Sequence, residues 1–596
     1  MDSSFQTDAQ GNFDFKGLAF GNYRLEISRP GFANRTVTVN VTSAAPVSEV
    51  VKLLIRGTST SVNVFSPTPI GLADVTLDQI PVPVQGLTAK NLEDSNSLDL
   101  ADLMNHRLAS VYINENAENP YQPDINYRGY TASPLLGTPE GLSVYLDGVR
   151  QNQPLGDIVA WDLIPKVAIR DMALIPGSTY HQLSQLGYLN PDNVSFTLVP
   201  IFLDGTTFSD GDPVDTQVLL HGTENTPSVY ATDTLTYGRW AFTLSGRYNH
   251  TSLDNLDYLP LSAARGNLTS NNVFQRFNPA AGFTCRPTHL FETYFNYSEA
   301  SRSPTSIELG CADPTQPCNL PNALVSDPPL KQVVTRNFEV GIRSNDSGTL
   351  HWSADYFFGQ NYNDLLFVAS EQTGFGYFLN FGRTRRDGVE LELSHDWRQW
   401  SLGSNYTFLN ATYQSAQTID GGSNSTNNSS LVGMPGLDDD INITPGDFIP
   451  QVPRNIFKLY GQYHPSSKLT AELDVLAAGS SFARGNENNL DRPDGVYYNG
   501  SGKSAGYGVA DIGARYQVTH RIRVFAQLNN LLDKHYYTAA QLGTTPFDNN
   551  DHFVARPFGT PYGTGDGDIP IRSSTFLAPG TPFNLYGGLK ITLWSR

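Results

Sequence analysis

Three cysteines are the residues whose spacing most directly suggests a covalent chemistry. Cys311 and Cys318 enclose the short segment CADPTQPC, which the flanking pattern places in an exposed connection between strands. Two thiols this close in a loop can form a local disulfide when the compartment is oxidising. Cys285 lies in a strand pattern and is predicted to be an unpaired apolar residue. We therefore expect a disulfide between Cys311 and Cys318 in an oxidising compartment.

Other groups that could do chemistry lack the spacing that it requires. Asp438, Asp439 and Asp440 are consecutive, whereas an EF-hand places its ligands at alternate positions around a glycine turn with a distal Glu. A solvated loop is therefore the favoured interpretation. The sequence has no C-x-x-C pair or His-rich cluster of the kind that binds zinc, and no serine in a G-x-S-x-G turn. We predict no metal site, no cofactor and no enzymatic activity.

Composition excludes several classes of protein. The chain has 596 residues, of which 16% are charged and 11% aromatic, and its net charge is -19. With 39 basic residues against 58 acidic ones, it lacks the basic surface that nucleic acids require. No apolar run reaches the roughly 18 residues of a transmembrane helix, so a membrane location would depend on strands. The first residues, MDSSFQTDAQGNFDF, contain no secretory signal, and we expect a truncated start.

The elements that would position these residues are mostly strands with a two-residue period. In VELELSH, LTAELDV and IRVFAQLNN, apolar residues alternate with polar or charged ones, so that one face of each strand is apolar. The strands run about ten residues, and short turns alternate with long polar loops such as 415–454. This is the pattern of an antiparallel barrel that crosses a bilayer.

Alternation alone does not separate such a barrel from a soluble sandwich, because both have one apolar face. The unequal loop lengths favour the barrel. So do aromatic residues near the expected strand ends, which we interpret as membrane-interface girdles: Tyr294, Phe295, Tyr297, Tyr356, Phe357 and Tyr406. We predict a mainly β protein, with a closed transmembrane antiparallel β-barrel of about 14–18 strands.

Residues 57–178 have mixed helix and strand signals and carry three ordered motifs. These are INYRGY, with Arg128 and Gly129; GLSVYLDGVRQN, with Tyr145, Asp147 and Gly148; and LIPKVAIRDMALIPG, which ends in Pro176 and Gly177. Asp147 and Gly148 are predicted to form a tight hairpin turn. Together the motifs resemble the plug domain of TonB-dependent outer-membrane receptors, so an α+β plug is expected here.

Two further segments resemble known domains. GNFDFKGLAFGNYRLEISRPGF is similar to the carboxypeptidase regulatory-like β-sandwich, and residues 226–596 resemble the receptor barrel. The barrel resemblance includes the step Asn529, Asn530, Leu531, Tyr536 and Tyr537, and Trp594 near the carboxyl end. We predict an incomplete sandwich at 1–56, a plug at 57–178 and an incomplete barrel at 179–596.

The resemblance is interrupted near residues 178–200. The chain reads STYHQLSQLGYLNPDNVSFTLVPIF where the family has a different segment leading into its first barrel strands. The family barrel has 22 strands, more than we count, so we expect an internal deletion or a gene-model join here. We also find no TonB-binding stretch.

The resemblance implies roles that the residues alone do not. Arg128 would hold the plug against the barrel wall through carboxylates, with Glu390 and Glu392 as lumen-facing candidates; the alternative is an exposed strand arginine. The protein would reside in the bacterial cell outer membrane, in contact with its lipid, and import a scarce siderophore, glycan or peptide with energy from the TonB–ExbB–ExbD system. The alternatives are a passive porin-like or surface-binding barrel, and a non-functional receptor fragment.

Overall fold

The computed structural model describes most of the chain from residue 79 onward and short pieces before it. The described residues are 7–8, 12–15, 17, 19–27, 35–43, 47, 51, 64–65, 75–76, 79–117, 119–135, 138, 140–147, 149–169, 172–176, 192–198, 220–258, 267–314, 318, 330–345, 349–369, 376–427, 440–494, 498–545 and 572–591. The chain divides into two compact units, Met1–Ser59 and Thr60–Arg596.

The first unit contains an antiparallel hairpin of β1 (Gly21–Ile27) and β2 (Arg35–Val41), in which Leu25 pairs with Val37. The incomplete sandwich predicted at 1–56 stays a prediction. The second unit begins with the short pair β3 (Val64–Phe65) and β4 (Val75–Thr76).

A small α+β region follows, and the described residues from 79 to 176 are called the plug below. Its elements are β5 (Gln85–Leu87), α1 (Ala89–Asp94), α2 (Leu100–Arg107), β6 (Val111–Asn114), β7 (Asp124–Tyr127), β8 (Tyr130–Ala132), β9 (Tyr145–Leu146), β10 (Val149–Arg150), two short 3-10 helices (Trp161–Leu163 and Lys166–Ala168) and β11 (Met172–Leu174).

Local sequence explains where the two plug helices begin. Thr88 and Asn91 form a capping box before α1, and the Asp99 carboxylate accepts a hydrogen bond from the Asp102 amide at 2.7 Å before α2. The apolar stripe of α2, including Leu103 and Met104, is buried in the plug's own hydrophobic core. The plug therefore has a hydrophobic core of its own.

The remainder is dominated by one antiparallel sheet of 15 strands. Its strands are β12 (Asp192–Leu198), β13 (Leu220–Thr226), β14 (Ser228–Tyr237), β15 (Trp240–Asp257), β16 (Ser270–Cys285), β17 (Phe291–Arg302), β18 (Val333–Ser344), β19 (Leu350–Tyr362), β22 (Arg383–Trp397), β23 (Trp400–Tyr413), β26 (Asn455–Tyr463), β27 (Leu469–Ala478), β31 (Tyr507–Thr519), β32 (Ile522–Asn529) and β35 (Asn584–Ile591).

Short elements occupy the long connections between these strands. They are α3 (Ser306–Leu309), β20 (Leu365–Ala369), β21 (Gly376–Asn380), β24 (Gln417–Asp420), β25 (Asp440–Ile443), β28 (Ser481–Phe482), β29 (Tyr498–Asn499), β30 (Lys503–Ser504), β33 (Tyr537–Thr545) and β34 (Arg572–Pro579). Most pair with one another in sheets of two or three strands at the long-loop end.

The number of strands in the sheet agrees with the predicted 14–18, but the predicted closure of the sheet into a barrel is not observed among the described residues. Strands follow one another in the order β12, β13, β15 to β19, β22, β23, β26, β27, β31, β32 and β35, and β14 pairs with β15 beside this path. In the described residues β12 and β35 do not pair with each other. The expectation of a closed barrel is therefore not met in the part of the chain that the structure describes.

The two faces of the sheet are arranged as in a membrane barrel and not as in a sandwich. On β22, Leu391 and Leu393 are 44% and 49% exposed, whereas Glu390 is 1% exposed. On β27, Leu473 is exposed and Glu472 buried. A sandwich would bury the apolar row against a second sheet. Here the polar row faces inward toward the plug, and we call this inward face the wall.

The aromatic girdle is only partly where we expected it. Trp397 and Trp400 flank the short turn between β22 and β23 on the exposed face, as interfacial residues do. Tyr294 and Phe357, which we had assigned to a girdle, are buried and point inward. This assignment was wrong because strand parity places each on the polar row, whereas Tyr356 next to Phe357 points outward.

No described helix has the length and apolarity to span a membrane.

Candidate functional site between the plug and the wall

The turn between β7 and β8 presents Arg128 to the wall. Tyr127 pairs with Tyr130, so Arg128 and Gly129 form a two-residue hairpin turn with φ of +53° and +76°. Positive φ at both positions defines a type I′ turn, which glycine accepts freely and arginine rarely adopts. The local conformation alone does not account for an arginine here.

Arg128 is held in a buried ionic cluster. Its Nε and Nη2 donate to the two carboxylate oxygens of Glu390 at 2.8 and 2.6 Å, and its Nη1 donates to Glu339 Oε1 at 2.5 Å. Phe357 lies beneath the guanidinium, with its ring centroid 4.0 Å away. The bidentate geometry is the strongest form of an Arg–carboxylate pair. At 4% exposure, Arg128 is not the exposed strand arginine of the alternative interpretation.

The carboxylates that we selected for Arg128 were only partly the right ones. Glu390 is a direct partner, while Glu392 has a side-chain hydrogen bond with Ser353 and is not among the hydrogen-bond partners of Arg128. The second partner is Glu339 on β18, which we did not select. A signal was available, because Glu339 alternates with Phe338 and Val340 in the sequence. Glu339 is 211 residues from Arg128 in the chain, so nothing in the sequence indicated that the two residues pair.

An arginine of the wall, Arg386 on β22, supports the same turn. Arg386 Nε donates to the Gly129 carbonyl at 3.0 Å, and the Arg386 guanidinium lies 4.4 Å from the Tyr130 ring centroid. A Cβ added to Gly129 would lie 3.4 Å from Arg386 Nε. Gly129 therefore suits the positive φ of the turn, and the wall lies in van der Waals contact with it.

The carboxyl end of α2 forms a second attachment. Arg107 pairs with Glu472 and Asp474 on β27 and stacks over Tyr460, with its guanidinium carbon 4.6 Å from the ring centroid. Lys458 on β26 donates to the carbonyls of Leu108 and Val111, both at 2.6 Å. These two hydrogen bonds attach the end of α2 and the start of β6 to the wall. Sequence reasoning placed Glu472 and Asp474 on the polar face but missed Arg107 and Lys458.

His106 joins α2 to the wall as well. Its Nδ1 lies 3.1 Å from Asp102 Oδ1 in the plug, and its Nε2 lies 3.1 Å from Asp511 Oδ2 on β31. Burial by itself lowers the pKa of His106, but the charge of Asp102 and hydrogen bonds with Asp102 and Asp511 raise that pKa well above 6.5. The imidazolium is therefore the form that bridges the two carboxylates.

The segment that leads into the plug is also attached. Arg343 on β18 donates through Nη1 to the Val82 carbonyl at 3.0 Å and through Nη2 to the Ile80 carbonyl at 2.8 Å. Its Nε donates to Glu292 at 2.6 Å. The plug is thus attached at its entry, at its central hairpin and at α2.

Burial in the plug shifts the pKa values of two carboxyl groups and one lysine, because it removes these groups from water. Burial raises the pKa of Glu115 to about 7, and the nearby Asp124 adds to this shift. Burial also raises the pKa of Glu140 well above 4.5. Burial lowers the pKa of Lys166 to about 8, although its Nζ donates to the carbonyls of Ser95 and Ser97 at 3.2 and 2.6 Å.

A cavity of about 910 Å³ separates part of the plug from the wall. Its plug side includes Arg150 and Asp157, and its wall side includes residues of β13, β15, β16, β17, β18 and β19. The lining mixes charged, amide and apolar groups. A cavity of this size and composition can hold water and polar ligand groups.

The remaining predicted plug residues have mixed outcomes. Tyr145 lies in β9, and β9 and β10 are joined by a two-residue turn in which Asp147 has φ of +48°. Pro176 is buried after β11. Gly148 and Gly177 lie outside the described residues.

The motif near the last strands organises a turn. Asn529 ends β32, and Asn530 adopts a φ of +50°. The Asn530 amide donates to Asp511 Oδ1 at 2.7 Å, and its side chain donates to the Thr581 carbonyl at 3.2 Å. The Leu531 amide donates to the Ala510 carbonyl. The local signal of this motif is therefore that of a strand end.

The aromatic end of this motif leads into the next element. Tyr536 packs on Tyr507, with ring centroids 4.6 Å apart, and Tyr537 begins β33. Trp594 lies outside the described residues.

The cysteines are arranged as one pair and one free thiol. Cys311 and Cys318 are joined by a disulfide with Cα atoms 5.6 Å apart, and Cys285 is a free, half-buried cysteine. In the part of the chain that the structure describes, no group of three or more His, Cys, Asp or Glu residues could hold a metal ion. Asp438 and Asp439 lie outside that part.

A sheet with its apolar face outward and an α+β region attached to its inward face is the arrangement expected of a plugged β-barrel. The chain belongs to the TonB-dependent receptor-like β-barrel family, whose model matches residues 86–531. The carboxypeptidase regulatory-like domain model matches residues 1–54. The family consists of outer-membrane receptors and transporters and not of enzymes.

Individual similarities are more distant. A probable TonB-dependent siderophore receptor, PiuA of Acinetobacter baumannii, is 25% identical over 323 residues, which are 53% of this chain. The chain spans 38% of that relative.

Among solved structures, PiuA of A. baumannii has a TM-score of 0.42 at 18% identity, covering 67% of this chain and 51% of its own. P. aeruginosa FpvA, bound to a heterologous pyoverdine with iron, has a TM-score of 0.49 at 12% identity, covering 89% of both chains.

Proposed function

We propose that this protein is an outer-membrane import receptor that takes up a scarce ligand with energy from the TonB–ExbB–ExbD system. The observation that carries the proposal is the plug attached to the wall by Arg128, Glu390 and Glu339. Breaking a buried ion pair by removing one partner costs about 3–5 kcal/mol. A plug held by several such contacts does not leave by itself, so an energy source is needed. This argument favours a gated receptor over a passive porin.

We propose a siderophore carrying iron as the first ligand class to test. The support is the similarity to the A. baumannii protein, a probable siderophore receptor. Glycans and peptides are the alternative ligands. The proposed organisation is a regulatory-like sandwich at 1–56, a plug at 57–178 and a barrel at 179–596.

The test is uptake by cells that lack their own siderophore receptors and express this chain. Radio-iron bound to a panel of siderophores should accumulate when TonB is present and should not when the tonB gene is deleted. Equal uptake in both strains would establish a passive pore and contradict the proposal. Labelled oligosaccharides and peptides are measured in the same strains, and TonB-dependent uptake of one of them would reassign the ligand.

A folding control distinguishes the non-functional fragment. Outer-membrane fractions are analysed by electrophoresis with and without heating, because a folded membrane barrel migrates differently from its unfolded chain. A chain that shows no heat-dependent shift and no uptake would be a non-functional fragment.

A further inference from the structure

The attachments of the plug are unevenly distributed around the wall. Arg107, His106 and Ser110 contact β27, β31 and β23, and Asp94 pairs with Arg523 on β32 at 3.1 Å. Together with Lys458 on β26, these contacts define an anchored arc formed by β23, β26, β27, β31 and β32. The anchored side of the plug is α1, α2 and the chain that follows to residue 111.

The cavity lies on a different part of the wall. Its wall residues come from β13, β15, β16 and β17, which we call the cavity face, and from β18, β19 and β22. On the plug side it is lined mainly by the chain from 140 to 176, including β9, β10 and β11, and also by the β7–β8 hairpin and by three residues of the plug core, Leu100, Met104 and Val111. Arg128, which pairs with β18 and β22, marks the border between the two regions. The plug therefore packs on the anchored arc through α1, α2 and the chain to residue 111, and it faces an open volume mainly through the chain from 140 to 176.

Unpartnered polar atoms line this volume. Glu140 Oε1, Glu339 Oε2 and Asn278 Oδ1 have no hydrogen-bond partner among the described residues, and all three side chains are more than nine-tenths buried. A buried polar atom without a partner costs about 1–3 kcal/mol. Such atoms are stabilised when water or a polar ligand enters, so the cavity is suited to a hydrated solute.

We propose that the imported ligand passes between the plug and the cavity face, while the plug stays attached to the anchored arc. This inference rests on the proposed function and specifies the route. Opening on this side breaks the Arg128 cluster at the border and, where the plug's entry segment moves, the hydrogen bonds of Arg343 to Ile80 and Val82. It enlarges a volume that already exists. Opening on the other side would break the contacts of Arg107, His106 and Lys458 together. The smaller number of buried charges to separate favours the cavity side.

Two disulfide locks test the route. At the edge of the cavity, the Ile307 amide donates to the Leu155 carbonyl at 3.2 Å, and both side chains belong to one apolar cluster. Leu155→Cys with Ile307→Cys would therefore lock the plug to the cavity side. On the anchored arc, Ser110 Oγ lies 3.2 Å from Thr407 Oγ1, so Ser110→Cys with Thr407→Cys provides the matched lock. Because Ser110 Oγ also donates to Glu390, the reduced form of this double variant is the reference for its oxidised form. Both pairs are built with Cys285→Ser, and peptide mapping assigns the bonds.

The locks should have opposite effects on TonB-dependent uptake of radio-iron. Oxidation of the Leu155–Ile307 pair should reduce uptake on the order of tenfold and reductant should restore it, whereas the Ser110–Thr407 lock should change uptake by less than about twofold. Loss of uptake with the Ser110–Thr407 lock, or normal uptake with the Leu155–Ile307 lock, would overturn the route. Absence of TonB-dependent uptake in both reduced proteins would instead contradict the proposed function.

A second pair of variants tests the route without a disulfide. Asn278→Trp places a large side chain on the inward face of β16 at the cavity, and Val273→Trp places one on the exposed face of the same strand. We expect uptake to fall on the order of tenfold for Asn278→Trp and to change little for Val273→Trp. Both proteins should keep heat-dependent migration. Equal uptake by the two folded variants would overturn the route.

Discussion

At the scale of single residues, the Arg128 cluster explains an unusual turn. A type I′ turn favours Asn-Gly or Gly-Gly, yet the chain uses Arg-Gly with Arg128 at a φ of +53°. The guanidinium gains two carboxylate partners, Glu390 and Glu339, on strands of the wall. Arg128 is therefore explained by the contact of the hairpin with the wall and not by the hairpin itself.

The substitution Arg128→Asn separates the contribution of the turn from that of the contact with the wall. Asn suits the turn, so the hairpin should persist, but Glu390 and Glu339 lose the cation that compensates their buried charges. We expect the plug's attachment to weaken by about 3–5 kcal/mol, measured as faster cleavage of the plug by protease in folded barrels. Arg398→Asn is the control, because Arg398 also has a positive φ but lies in an exposed turn. Equal protease resistance of the two variants would reject the role of Arg128.

At the scale of elements, α2 is the main attachment of the plug to the anchored arc. Its amino end is capped by Asp99 and its apolar stripe packs in the plug core. Its last turn carries His106 and Arg107 toward β31 and β27. The helix therefore connects the plug core to the wall, and its attachment depends on the charge of His106.

We expect this attachment to weaken at alkaline pH. The folded-state pKa of His106 is raised above 6.5 by Asp102 and Asp511, against the effect of burial. Its contribution is thus complete below about pH 6.5 and is lost as the pH rises through the raised pKa. The nearby carboxylates of Asp102, Asp511 and Asp474 then face one another without the imidazolium.

The measurement is the urea concentration that releases the plug, recorded from about pH 6 to about pH 10. The native chain should lose resistance across the alkaline part of this range, and His106→Gln should remove most of that dependence. His520→Gln, at an exposed turn, should behave as the native chain does. A pH dependence that persists in His106→Gln would assign it to other groups.

At the scale of the whole sheet, the apolar row faces outward and the charged row faces the plug. Leu391 is exposed on β22 while its neighbour Glu390 is buried. This arrangement is stable when lipid covers the outward face, because apolar side chains exposed in water would favour aggregation. We therefore expect the sheet to be stable only when lipid covers this face.

A charged residue introduced on the outward apolar face should destabilise the sheet more near the middle of the bilayer than near its surface. Leu391→Lys, in the middle of β22, should destabilise the folded barrel by about 2–4 kcal/mol, whereas Leu469→Lys, at the first residue of β27 beside a short turn, should cost about 0–1 kcal/mol. Urea unfolding in lipid vesicles, followed by electrophoretic migration, measures both. Equal destabilisation by the two substitutions would argue against a membrane around this face.

Much of the fold could be predicted from the chain because strand patterns are local. Successive side chains of a strand point to opposite faces of the sheet. The segments VELELSH and LTAELDV are therefore predicted to form strands with one apolar and one polar face, whatever their surroundings. The turn at Asp147 is likewise indicated by adjacent residues, whereas the turn at Arg128 and Gly129 was not predicted. The strand count and the position of Glu390 on the polar row followed from these local signals.

By itself, then, the sequence determined the strands, the turns, the polar and apolar rows and the family. Tertiary structure alone decided which partners meet. Arg128 and Glu390 are 262 residues apart in the chain, and the choice of Glu339 over Glu392 depends on how the plug lies against the wall. Local patterns follow from backbone geometry, whereas such distant pairings arise only when the plug and the sheet pack together.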